Sequence, residues 1–214
     1  VKGIMFKPDM IKAIVEGRKT QTRRVIKPQP PSDAIDVFGW FAPEIQSNKA
    51  PEGLWMEDKN GLKFLQKPRY QVGEVVYIKE TLYRHPYLDE AGYMLDQTPV
   101  FINQTIGDCL KWRWQKDILT GMFMPQEAAR YFIRITDVRA ERLQEISLAD
   151  IYAEGCPLEK ATVFTDPESG YQLKSDAYEW FNDIWNSINK PPYDWNNNPW
   201  VWVYSFERLN NAEK

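Results

Sequence analysis

Two spacings of apolar residues organise this chain. At the helical spacing, Met10, Ile11, Ile14 and Val15 follow Pro8 and Asp9 and stop at Gly17, which predicts a short amphipathic helix with a glycine at its C-terminal cap. Tyr178, Phe181, Trp185 and Ile188 recur at three, four and three, the core-facing stripe of a second helix starting near Ser175. Between them, Ser147 and Asp150 form a capping box that opens a helix running to Glu154 and ending at Gly155. At the two-residue spacing, Gly73-Glu74 turns into a buried strand over Val75–Ile78, and Tyr131, Ile133 and Ile135 alternate with Phe132, Arg134 and Thr136 in a strand reaching Arg139. Trp200, Trp202, Tyr204 and Phe206 share one face of a closing strand, with Val201 and Val203 on the other. The predicted order is helix, strand, strand, helix, helix, strand.

Two long stretches interrupt that order. Residues 27–70 hold six prolines from Pro28 to Pro68 and little periodicity, with Phe38, Trp40, Phe41, Trp55 and Phe64 expected to pack them. Residues 81–130 are rich in Tyr and Trp and equally aperiodic. Both read as insertions in a single domain covering 1–214. With 43% apolar and 14% aromatic residues the chain can bury a true core. No apolar run approaches the roughly 20 residues that span a bilayer, and the first residues lack the apolar stretch of a secretory signal. Cys109 and Cys156 have no metal-ligand spacing and read as reduced thiols, so the expectation is a cytoplasmic protein without metal or cofactor, and without a membrane partner.

The net charge of −3 hides an asymmetry. Arg18, Lys19, Arg23, Arg24 and Lys27 fall within ten residues that contain no acid. A second stretch, Lys111-Trp112-Arg113-Trp114-Gln115-Lys116, interleaves cations with indoles, as a surface that tracks a nucleic-acid backbone and stacks its bases requires. The competing reading places the two tryptophans on one side of a strand, covering the core. In the first stretch, Gly17-Arg18-Lys19-Thr20-Gln21-Thr22-Arg23-Arg24 follows a helix end with cations and hydroxyls on a segment too polar to read as core. Such a bend presents several donors to one anionic or carbonyl-bearing ligand.

This segment resembles the G-x-K-x-x-(polar)-x-R signature of the ASCH domain family, a branch of the PUA-like β-barrels, with Gly17, Lys19, Thr22 and Arg24 at its marked positions. The order of the other elements is similar to that family's, over residues 1–26, 71–80, 131–155, 175–188 and 200–209. Tyr77-Ile78-Lys79-Glu80-Thr81 and the closing Asn-Pro-Trp-Val-Trp-Val look like those of a larger, phage- and prophage-associated subgroup. The resemblance implies an α+β fold, a small mixed β-barrel with flanking helices, whose cleft takes RNA or a modified nucleoside. Some members resemble acetylcytidine amidohydrolases. Carried over by position, Thr22 is then the nucleophile, Lys19 its activating base and Glu154 the acidic partner, with Glu159 and Asp150 as competitors for that last role. A lysine crowded by Arg18, Arg23 and Arg24 is expected to titrate low enough to serve as a base, so no histidine is required. Lys19 and Thr22 equally suit binding without turnover, holding a phosphate or a base edge.

Three readings therefore stand: an RNA- or nucleoside-binding protein, an amidohydrolase acting on an acylated cytidine, and a phage-type accessory protein whose aromatic insertions contact a protein partner. Glu80 is expected to pair with Arg23 or Arg24 and shape the motif, and His85, before Pro86, is expected to be a loop residue.

Overall fold

The computed structural model describes residues 1–30, 36–38, 54–57, 63–157 and 176–210; for 36–38, 54–57, 63–65 and 176 it describes the backbone alone. Trp40, Phe41 and Glu159, and the side chains of Phe38, Trp55 and Phe64, lie outside the described residues. The chain divides into two compact units that share its two longest strands: Val1–Thr20, Gly73–Ile135 and Phe206–Lys214 form the first, Gln21–Val72 and Thr136–Ser205 the second.

The first unit begins with β1 (Gly3–Met5), which lies parallel to β6 (Val75–Lys79), with Gly3 opposite Tyr77 and Met5 opposite Lys79. Sequence periodicity missed β1, whose three residues are too few to show a pattern. Helix α1 (Pro8–Val15) starts on a proline, which costs no hydrogen bond in the first turn, and buries Ile11, Ala13 and Ile14. It ends in a Schellman motif: Gly17 N–H donates to the Ile14 carbonyl at 3.1 Å and Arg18 N–H to that of Ala13 at 2.9 Å. This closure needs a left-handed residue, and Gly17 supplies it at φ +78°. The start of β10 (Phe132–Arg142) runs antiparallel to β6, giving the order β1-β6-β10.

Residues 81–130 are more regular than their sequence suggests. Strands β7 (Leu82–Arg84), β8 (Ala91–Tyr93) and β9 (Ile118–Leu119) form a sheet in the order β8-β7-β9. Leu82, Tyr93, Val100, Leu110, Trp112, Leu119 and Met124 close a core beside it, joined by Tyr77 of β6. Short strands and single bridges carry these residues, so burial recurs without a period. Gly92 lets the Tyr83 ring lie on the strand, where a Cβ would clash with a ring carbon.

In the second unit, β2 (Gln21–Val25) pairs antiparallel with β11 (Trp200–Leu209), and the order is β10-β11-β2. Strands β3 (Asp36–Phe38), β4 (Leu54–Glu57) and β5 (Lys63–Gln66) form a separate antiparallel meander. Helix α2 (Leu148–Ala153) opens on the expected capping box: Asp150 N–H donates to the Ser147 hydroxyl at 3.1 Å, and the Asp150 carboxylate accepts from Ser147 N–H. Helix α3 (Asp176–Ile188) buries Ala177, Phe181 and Trp185 against Ile151, Val201 and Val203. The predicted stripe is corrected at its end, where Ile188 is exposed and Ala177 enters the core instead. On β11, Val201 through Tyr204 are all buried, so both faces of this strand are covered.

The architecture is mixed α+β, with open sheets and few helices; among the described residues no sheet closes into a barrel. Among the described residues no helix is long and apolar enough to cross a membrane.

Candidate functional site

The basic segment after α1 is a strand, and much of it is buried. This corrects the expectation of a surface bend: Lys19 and Arg23 are 1% and 3% exposed, and Gln21 and Thr22 are buried as well. Burial of so much polarity is tolerated only where partners exist, and these come from distant parts of the sequence. Arg18 lies outside the buried set, with its guanidinium on the Glu16 carboxylate at 2.6 Å. Lys19, in the first unit, holds its ammonium 5.9 Å from the centre of the Phe6 ring.

In the second unit, alternation along β2 sends Gln21, Arg23 and Val25 to one face and Thr22 and Arg24 to the other. Val25 packs with the core of α2 and α3. Arg23 meets a nest of acids on the same face. Its Nη2 lies 2.5 Å from Glu141 and 3.2 Å from Asp150, its Nη1 lies 3.2 Å from Glu154, and it donates to the Gln21 amide oxygen at 2.7 Å. Arg139 joins from β10, reaching Glu141 at 3.2 Å and Asp150 at 3.0 Å. Burial would raise the Asp150 carboxyl, yet hydrogen bonds from Ser147 and the charges of Arg23 and Arg139 outweigh it and hold the group below the usual carboxylate range. Arg23 is thus an internal counterion, a role that the motif's sequence does not distinguish from ligand binding.

The opposite face of β2 has another character. Thr22 stands across from Tyr204 and Arg24 across from Trp202 in the β2–β11 register. Tyr204 packs edge-on against Tyr70, with ring centres 5.3 Å apart, and its hydroxyl accepts from Arg69 N–H at 3.1 Å. Burial pushes the Tyr204 hydroxyl up to about 12, so it stays protonated at neutral pH. Burial also pulls the Arg24 guanidinium below its ordinary range, opposed by the nearby charge of Glu154 and by Tyr70 and Tyr204. Glu154 caps the end of α2 and is 7% exposed. Among the described residues the Thr22 hydroxyl has no hydrogen-bond partner. Thr22 and Arg24 thus share a strand face with the buried Tyr204, against which Tyr70 packs, while Glu154, paired with Arg23, is near enough for its charge to act on Arg24. Arg69 and Tyr70 escaped the sequence reading, because they follow Pro68 at the end of an aperiodic stretch and no local pattern links them to β2.

The remaining candidates are committed to structure. Glu80 is corrected: its carboxylate takes a bidentate pair from Arg130 at 2.7 and 2.8 Å, not from Arg23 or Arg24. Lys111 pairs with Glu90 at 2.9 Å and Arg113 with Glu127 at 2.6 Å. Trp112 is buried and Trp114 half-buried, in edge contact at 4.9 Å, which favours the core-covering reading of that stretch. The His85 ring accepts from the backbone N–H groups of Tyr87 and Leu88 and closes a loop. Among protein-family models, curated proteins and solved structures, none matches this chain.

Proposed function

We propose that this protein binds a modified nucleoside through the Thr22 and Arg24 face of β2, as the resemblance of Gly17-x-Lys19-x-x-Thr22-x-Arg24 to the ASCH signature implies, on a PUA-like arrangement of strands. The observation that carries this reading is the placement of Thr22 and Arg24 on the face of β2 that meets Tyr204, against which Tyr70 packs. A small ligand is favoured over an RNA polymer. Arg18, Arg23, Lys111 and Arg113, four of the cations expected to track a phosphate backbone, are neutralised by carboxylates of this same chain.

A second reading adds turnover. A Thr22 hydroxyl without a hydrogen-bond partner among the described residues and a buried Glu154, both in the second unit, suit the nucleophile and acidic-partner roles of the acetylcytidine amidohydrolases that some ASCH members resemble. In that chemistry the hydroxyl attacks the amide carbonyl of an acylated exocyclic amine while a base takes its proton. The cytidine amine then leaves with a proton, and water releases the acyl group. The test is chromatography of acetylcytidine incubated with the wild type and with Thr22→Val. Product from the wild type alone supports turnover. Saturable binding without product supports binding only, and neither binding nor product rejects both readings for this ligand.

A further inference from the structure

The tip of the β7–β8 hairpin, residues 85–90, is held by the single histidine of the chain. The His85 ring nitrogen Nδ1 accepts from the backbone N–H of Tyr87 at 3.3 Å and from that of Leu88 at 3.1 Å. Two N–H donors converging on one nitrogen require its lone pair, which assigns the neutral tautomer with its proton on Nε2. The backbone fixes the base of the tip: His85 N–H donates to the Glu90 carbonyl at 2.9 Å, and Arg84 N–H to that of Asp117 at 2.9 Å. The Tyr87 ring lies edge-on to the imidazole, with centres 6.2 Å apart. The tip so held leaves Tyr87 91% and Leu88 53% exposed and folds round an open hollow of about 580 Å³, lined by residues 84–89 and Asp117.

Protonation reverses the role of Nδ1. The acceptor becomes a donor, its new N–H is aimed at the N–H groups of Tyr87 and Leu88, and both hydrogen bonds are lost. The charges around the ring do not forbid that step. On the hairpin stand Arg84, paired with Asp89 at 3.0 Å, and Glu90, paired at 2.9 Å with Lys111 of the neighbouring segment. Asp117, which leads into β9, lines the same hollow and has no ion pair among the described residues. The hydrogen bond from Lys111 holds the Glu90 carboxyl below the usual range, while burial and the Glu90 charge raise the Cys109 thiol and keep it neutral. Three carboxylates thus face two cations, a balance that an imidazolium completes. The obstacle to it is the pair of backbone N–H groups.

We infer that His85 is a pH-sensitive latch on this hairpin tip. Neutral, the imidazole clasps Tyr87 and Leu88, sets the direction in which their exposed side chains project, and bounds the hollow. Protonated, it releases residues 86–89. Pro86 focuses the device, since it has no N–H and leaves Tyr87 and Leu88 as the first donors after the ring. The latch stands apart from the reading of β2 and involves none of its residues.

Nuclear magnetic resonance of the full chain, followed from about pH 8 to about pH 5, tests it, because one histidine gives one set of imidazole signals. At the alkaline end the ring nitrogens are expected to report a proton on Nε2 and none on Nδ1. As the imidazole titrates, the amide protons of Tyr87 and Leu88 are expected to move upfield with the same midpoint. Those of Ala91 and Val100, bonded to the carbonyls of Leu110 and Ala91, are expected to stay in place. His85→Asn keeps a side-chain acceptor for the turn without the titration, and is expected to hold the two amides at their alkaline positions throughout. His85→Phe removes the acceptor, and is expected to hold both near their acid positions at every pH. Tyr87 and Leu88 amides that stay still while the imidazole titrates overturn the inference. So does an alkaline tautomer protonated on Nδ1, or the same amide shifts persisting in His85→Asn.

Discussion

Replacing Arg23 by methionine removes the cation around which Glu141, Asp150 and Glu154 gather, while keeping most of the side chain's apolar length. In the wild type the Arg23 side chain is 1% exposed and those of the three acids 13%, 20% and 7%. The variant leaves Arg139 to serve Glu141 and Asp150, and takes away the 3.2 Å contact that Arg23 makes with Glu154. Breaking a buried pair by removing one partner costs about 3–5 kcal/mol, because the other charge stays buried. For a chain of this size that corresponds to a fall in melting temperature of roughly 6–20 °C. Urea denaturation at neutral pH measures the difference directly. Acid adds a second readout: as pH falls, the unpaired carboxylates of the variant take up protons and cease to repel, so the gap between wild type and variant narrows. A loss below about 1 kcal/mol at pH 7, or a gap that widens in acid, refutes the counterion role of Arg23.

Further expectations concern single groups. The buried Trp112 Nε1 has no hydrogen-bond partner among the described residues. Trp112→Phe is therefore expected to cost under about 1 kcal/mol in denaturant titration, against about 3–5 kcal/mol for Trp112→Ala, which opens a cavity. Because the folded Asp150 carboxyl is held below its unfolded value, its contribution is present above the unfolded carboxylate range and is lost as pH falls through the folded value. Ser147→Ala, which removes one of the hydrogen bonds responsible and the cap of α2, is expected to lower stability by about 1 kcal/mol at pH 7, with the difference shrinking in acid. Gly92→Ala drives a methyl group into the Tyr83 ring and is expected to lower the melting temperature, with Tyr83→Ala restoring part of the loss.

The elements legible in the sequence are those whose signal is local. Helix α1 announces itself through Pro8, its apolar stripe and Gly17, and α2 through the reciprocal bonds of Ser147 and Asp150. Strands β6, β10 and β11 show alternation or a continuous apolar run. Strand β2 was illegible, because Gln21, Thr22, Arg23 and Arg24 carry no apolar pattern and their burial depends on acids more than a hundred positions away. The stretch from Lys111 to Lys116 reads as a cationic surface for the same reason, since Glu90 and Glu127, which neutralise Lys111 and Arg113, are remote in sequence. Thr22 and Arg24 were legible as a motif. What surrounds them, Tyr70 and Tyr204, becomes visible only once the β2–β11 register is known.

Calorimetric titration of acetylcytidine into the wild type and Arg24→Gln measures the central claim most directly, because Arg24 lies with Thr22 on the face of β2 opposite to that of Arg23. Saturable binding by the wild type, weakened about tenfold or more in the variant, is the expected result. Equal affinity in both proteins, or heat from neither, contradicts the assignment of the ligand to this face of β2.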